Sequence, residues 1–129
     1  MTGCALCGAL AGDGVVIETP DAVALMDKYP LNPGHCLILP RRHTPQLWDL
    51  SGPEAATLFA LLTRARRLID EKFAPDGYNI GVNVGEAAGQ TIGHVHIHLI
   101  PRYVGDDDDP RGGVRWILPE RAVYWEGGP

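Results

Sequence analysis

Short apolar runs closed by proline dominate the first forty residues. Val15-Val16-Ile17-Glu18-Thr19 stops at Pro20 and predicts a strand. Ala22-Val23-Ala24-Leu25-Met26 predicts a second, and the Pro20-Asp21 break between them predicts a hairpin. Asp27 to Gly34 holds Pro30, Asn32, Pro33 and Gly34, the composition of a loop. His35-Cys36-Leu37-Ile38-Leu39, ended by Pro40, predicts a third strand. The period then changes. Ser51-Gly52-Pro53-Glu54 has the S-x-x-E capping spacing with proline in the first turn. Leu58, Leu61, Leu62, Ala65, Leu68, Ile69 and Phe73 follow at steps of three and four, giving a helix with one apolar stripe. Pro75-Asp76-Gly77 predicts a turn. Tyr78 to Val84 alternates in the manner of a half-buried strand. Gly85 to Gly93 predicts a glycine-rich loop, and His94 to Ile100 a last strand stopped by Pro101. Five strands and one main helix, after a short N-terminal segment, predict an antiparallel α+β domain.

Composition narrows the function. A chain of 129 residues fits one domain able to bury a core without staples. A net charge of −5 argues against a nucleic-acid partner, which needs a basic surface. No apolar run reaches the roughly 18 residues of a membrane span, so no membrane partner is expected. Met1-Thr2-Gly3-Cys4 lacks the basic and apolar regions of a secretory leader. Three cysteines, an odd number, do not make a disulfide framework, and a cytoplasmic setting is expected.

The candidate chemistry lies in the last predicted strand. Of five histidines, three are His94, His96 and His98. Alternate residues of a strand share a face, so these imidazoles are expected along one wall, with Val95, Ile97 and Leu99 behind it. Such a wall suits either a metal ion or nucleophilic attack on phosphorus. The preceding loop, Gly85 to Gly93, favours phosphate, because small residues let backbone N–H groups approach an anion. Cys4-x-x-Cys7 has the spacing of half a zinc site. A redox pair is the rival reading, although the βαβ pattern that usually carries one is absent. Cys36 sits in an apolar strand as a core residue. Asp106 to Asp109 are contiguous, cannot converge on one ion from an extended chain, and are expected in a solvated loop.

His94-Val95-His96-Ile97-His98-Leu99-Ile100 matches the H-φ-H-φ-H-φ-φ signature at all seven positions and resembles the histidine triad (HIT) superfamily. With Asp27, Pro33-Gly34-His35-Cys36-Leu37-Ile38-Leu39-Pro40, the helix from Ser51 and Ala88-Gly89-Gln90-Thr91, the likeness is greatest to the fragile-histidine-triad, or dinucleoside polyphosphate hydrolase, branch. It covers about residues 15–104 and leaves 105–129 as a tail. It implies one HIT domain over 1–129, with a five-stranded antiparallel sheet and one main helix.

The resemblance also assigns roles. His96 is the implied nucleophile toward the α-phosphorus of a nucleotide, forming a nucleotidyl-histidine that water resolves to a nucleoside monophosphate. His98 is implied to bind the phosphate, and His35 and His94 to orient the wall. Leu25 and Leu37 are implied for the base pocket, and Asp27 for the ribose hydroxyls. Asn83, Gly89, Gln90, Thr91 and Ile92 are implied near the phosphates. The branch often has asparagine where this chain has Asp27, and aspartate there is more like the nucleoside phosphoramidase branch. A structural zinc on Cys4, Cys7, His43 and His94 is implied as well, as are a homodimer, a purine substrate containing adenine, and Arg115 or Trp116 at the leaving half. No catalytic cofactor is expected, and magnesium enters only with substrate phosphates. The alternatives are a nucleotidyltransferase or phosphorylase on the same fold, or a nucleotide-binding protein without catalysis.

Overall fold

A computed structural model describes residues 3–125. Its sheet contains β1 (Val15–Glu18), β2 (Ala22–Met26), β3 (Cys36–Pro40), β4 (Gly77–Gly81) and β5 (Ile97–Arg102). The order is β1-β2-β3-β5-β4, and every pairing is antiparallel. Among the described residues two α-helices join the sheet, α1 (Ala5–Ala9) and α2 (Gly52–Phe73).

Both faces of the central strands are covered, which is why they read as continuous apolar runs. Ala22, Ala24, Cys36, Ile38 and Leu99 face Leu58, Leu61, Leu62, Ala65 and Ile69 of α2. Val23, Leu25, Leu37 and Leu39 alternate to the other side and meet Leu6 of α1. Burial pushes the Cys36 thiol up to about 12, the state of an inert core residue. The α2 terminus forms as its sequence predicts. Ser51 accepts from the Glu54 N–H, and Glu54 accepts from the Ser51 N–H. Arg42 holds the same carboxylate, and with the Ser51 N–H keeps it down at about 2. The helix closes on Ala74 in the left-handed region, φ 48°.

The bounds of three predicted strands are corrected. The strand foreseen from His94 starts at Ile97, three residues later. The Val95 N–H donates to Thr44 O at 2.7 Å, so residues 94–96 are tied to the segment after β3. The third and fourth strands also move, to Cys36–Pro40 and Gly77–Gly81. The acidic run lies in an exposed loop, as expected, and its first member is paired. Asp106 accepts from Arg102, Asn32 and the Tyr103 N–H, and these hold its carboxyl well below the usual range.

Candidate active site and metal centre

On the open face of the sheet a cleft of 1230 Å³ runs from α1 to the C-terminal tail. Its floor is set by register. Leu25 faces Leu37 across β2 and β3, Leu37 faces His98 on β5, and His98 faces Gly81 on β4. One step along, the Asp27 N–H donates to His35 O, and Asn79 faces Ile100. Asp27, His35, His96 and His98 all line the cleft.

The hydrogen bonds define the tautomers of the neutral rings. The Leu31 N–H donates to His35 Nδ1 at 3.0 Å, so the His35 proton sits on Nε2. That nitrogen donates to His98 Nδ1 at 3.0 Å, which leaves the His98 proton on its own Nε2. Asp27 Oδ2 lies 3.3 Å from His35 Nε2, and Asp27 Oδ1 accepts from the Tyr29 N–H at 2.8 Å. His96 is the opposite case. Its Nδ1–H donates to the backbone carbonyl of His94 at 2.8 Å, which leaves a lone pair on Nε2. Two neighbouring imidazoles therefore present opposite groups: a donor at His98 Nε2 and a lone pair at His96 Nε2.

Burial holds the imidazole pKa values of His35 and His98 below the ordinary value. For His98 the charges of His96 and His35 add to this, while Asp27 opposes it at both rings. Asp27, His35 and His98 are near enough to suggest an ion site. The chemistry does not fit one. A metal on His35 Nε2 would move the ring proton to Nδ1, against the Leu31 N–H.

His94 does not join this wall, which corrects the expectation of three imidazoles on one strand face. It is fully buried and turns its ring toward the N-terminal segment. Its Nε2–H donates to Pro40 O at 2.8 Å, leaving the Nδ1 lone pair free for a ligand bond. Cys4 Sγ lies 3.6 Å and Cys7 Sγ 3.5 Å from that nitrogen, and Cys7 Sγ lies 3.2 Å from His43 Nδ1. All four donor atoms fall within 4.8 Å of one another. Zinc with bonds of about 2.3 Å to sulfur and 2.0 Å to nitrogen in a tetrahedron separates the two by about 3.5 Å, so the residues fit the ion. The cysteines reach this position through α1, where Cys4 is the N-cap and accepts from the Cys7 N–H. His94 thus belongs to two places. Its ring completes the Cys/His cluster, and its carbonyl sets the His96 tautomer.

The remaining expected residues divide. Leu25, Leu37, Asn83, Gly89, Gln90, Thr91 and Ile92 line the cleft. The Gln90 amide is committed to its own loop, accepting from the Gly85 N–H and donating to Pro45 O and Ile92 O. Arg115 and Trp116 stay exposed and bond to carbonyls within the tail. Arg115 donates to Ala122 O and Arg121 O, and Trp116 Nε1 donates to Arg111 O. Sequence reasoning missed Ala5, Leu6 and Ala9 at one end of the cleft and Gly113, Val114 and Ile117 at the other. Val114 and Ile117 lie within the tail segment singled out for Arg115 and Trp116, but only the fold shows which side chains turn outward.

Comparison with known proteins gives a consistent family. The model described as the HIT domain matches residues 11–105. The chain is 38% identical over 96 residues to a protein named AP-4-A phosphorylase from Mycobacterium tuberculosis, covering 73% of this chain and 49% of that protein. It is 38% identical over 95 residues to the bis(5'-nucleosyl)-tetraphosphatase [asymmetrical] of Schizosaccharomyces pombe, covering 74% and 52%. The chain spans about half the length of these curated relatives. Among solved structures, a Zn-bound histidine triad family protein from Mycobacterium smegmatis superposes with a TM-score of 0.73 at 33% identity, covering 83% of this chain and 84% of that one. The Cys/His cluster is compatible with a structural zinc.

Proposed function

The chain belongs to the HIT domain family, and from that premise we propose that it is a nucleotide hydrolase that cleaves at the α-phosphorus through a nucleotidyl-histidine on His96. The observation that carries this reading is the His96 hydrogen bond to His94 O, which leaves Nε2 with its lone pair inside the cleft. In the first step that lone pair forms the N–P bond as the bond to the leaving group breaks. The leaving group departs with the electron pair and takes a proton from solvent, which the attacking water returns in the second step. In the second step a water oxygen attacks phosphorus, the N–P bond breaks, and the nucleoside monophosphate leaves. Splitting one displacement into two in this way lowers the barrier of each. The His98 Nε2–H donates to a phosphoryl oxygen, where charge collects. Asp27, already fixed by the Tyr29 N–H, accepts from the ribose hydroxyls. Leu25, Leu37 and Leu6 offer an apolar surface to an adenine base.

Zinc on Cys4, Cys7, His43 and His94 is the structural part of the proposal, and its four protein donors leave no position for substrate. The attack itself uses no protein-bound metal, and magnesium enters with substrate phosphates. The single domain acts as a homodimer, for which β4 at the sheet edge offers an unpaired side. Because one relative carries the name phosphorylase, inorganic phosphate is the second candidate acceptor of the nucleotidyl group.

The test is product analysis by mass spectrometry. Diadenosine triphosphate, diadenosine tetraphosphate and an adenosine phosphoramidate are incubated in ¹⁸O-water, with and without phosphate. Labelled AMP is expected from the unmutated chain, and His96→Ala is expected to lose at least about a thousandfold in kcat. ADP formed only when phosphate is added would replace hydrolase by phosphorylase. Nucleoside monophosphate binding without any turnover would leave a binding protein.

A further inference from the structure

We propose that Asn32 and Asp106 are a positioning pair: they hold the loop amide that fixes the tautomer of His35 and, through it, the N–H that His98 turns to phosphate. The inference rests on the reading of His96 and His98 as the reacting groups, and it adds two residues that act on them without touching substrate.

The bond between His35 Nε2 and His98 Nδ1, 3.0 Å long, can run in either direction. With the shared proton on His35, His98 keeps its own on Nε2 and donates into the cleft. With the shared proton on His98 Nδ1, Nε2 carries a lone pair and repels a phosphoryl oxygen. Asp27 Oδ2 lies 3.3 Å from His35 Nε2 and 4.0 Å from His98 Nδ1, so it attracts a proton on either nitrogen. The direction is therefore fixed at the far side of the His35 ring, by the Leu31 N–H on Nδ1 at 3.0 Å. That donor is a backbone amide in a loop, and it is only as well placed as the loop.

Asn32 holds the loop. Its carbonyl accepts from the His35 N–H at 3.1 Å, so the turn grips His35 by ring and backbone together. Its side-chain amide spends both protons on β5 and the loop after it. Nδ2 donates to Pro101 O at 3.0 Å and to Asp106 Oδ2 at 2.7 Å. The Tyr103 hydroxyl adds a tie to Pro33 O at 2.7 Å, further from Leu31. Asp106 is itself fixed. Arg102 holds it through Nε at 2.9 Å and Nη2 at 2.8 Å, and the Tyr103 N–H donates to it at 3.0 Å. Arg102 Nη1 reaches on to Asn79 Oδ1 at 2.6 Å, which anchors the group on β4 as well as β5. The Asp106 side chain is 16% exposed, and its charge makes the bond to Asn32 stronger than one between neutral groups. Neither Asn32 nor Asp106 lines the cleft. Their route to the chemistry runs from Asp106 to Asn32, to the Leu31 N–H, to His35 and then to His98.

The test is long-range ¹H–¹⁵N NMR on the full chain labelled in its histidines, which reads the protonated nitrogen of each ring in folded molecules alone. Beside it, kcat and KM are measured on the fastest of the three nucleotides named above. The unmutated chain is expected to show Nε2–H at His35 and His98 and Nδ1–H at His96. In Asn32→Ala and in Asp106→Ala, His35 and His98 should become tautomer mixtures while His96 stays as it is. In both, kcat should fall about tenfold or more at nearly constant KM. Asp108→Ala removes the same charge from the same exposed run and should change neither. A single, unchanged tautomer at His98 in both variants, or the same shift in Asp108→Ala, would overturn the pair and leave the His96 reading intact. The expected tautomers and shifts, with no turnover of any nucleotide by the unmutated chain, would uphold the pair and overturn the hydrolase reading. A His98 proton on Nδ1 in the unmutated chain would overturn the pair together with His98 as donor.

Discussion

His35 is 3% exposed and touches no solvent-facing function of its own, yet it decides what its neighbour can do. Its Nδ1 is fixed as an acceptor by the Leu31 N–H, so its Nε2 must donate, and His98 must present Nε2–H. The arrangement works only with neutral rings, and burial supplies that condition by lowering both pKa values. The unfolded chain titrates near 6.5, so below that pH it binds more protons than the native state. This part of the stability is present above about pH 6.5 and is lost as pH falls toward the depressed native values. The urea midpoint should therefore drop between pH 7.5 and 5.5, and the drop should be shallower in His35→Asn. Parallel curves for the two proteins would remove His35 from this account.

At the scale of elements, Gly34 shows how the fold holds that ring. It has φ 90°, and a Cβ there would come within 3.0 Å of Ile69, 3.1 Å of Phe73 and 3.1 Å of Pro101. The loop before His35 is thus wedged between α2 and β5. Gly34→Ala should cost about 1–3 kcal/mol in thermal or urea unfolding, and should weaken nucleotide binding through His35 more than a surface change of equal size. The sequence made α2 legible to the residue at its start, because Ser51, Pro53 and Glu54 act locally. The apolar runs of β2 and β3 were legible for the same reason. What escaped was set by distant partners. α1 has five residues and no period to read, and it exists because Cys4 caps it and Leu6 is buried against β2 and β3. The late start of β5 depends on one bond from Val95 to Thr44. The bonds of Gln90 to Pro45 O and of Arg115 to Ala122 O depend on carbonyls that only the folded chain brings near. His96 and His98 were legible from their spacing, but the separation of His94 from them was not.

Across the whole molecule, the Cys/His cluster fastens the N-terminal segment to the core through His43 and His94. Binding of zinc to the folded state alone raises stability by linkage. Elemental analysis should find one zinc per chain, and a strong chelator should lower the thermal midpoint by several degrees. Cys7→Ser should begin at the lower midpoint and respond little to chelator. A wild-type protein that carried no zinc, with a midpoint indifferent to chelator, would leave the four residues as a hydrogen-bonded cluster only.

The two flanks of the cleft have a further consequence. The family match runs over residues 11–105, whereas the surfaces closing the cavity come largely from Ala5–Ala9 on one side and Gly113–Ile117 on the other. Part of the cleft wall is thus carried outside the family match, while Leu25, Asp27 and Leu37 lie within it. The two flanks differ in how they are tied to the imidazoles, because Ala5–Ala9 carries Cys7 against His43 and His94 and Gly113–Ile117 carries no such link. Replacing Gly113–Ile117 with the sheet left alone therefore changes one wall of the cleft and leaves the Cys/His cluster in place.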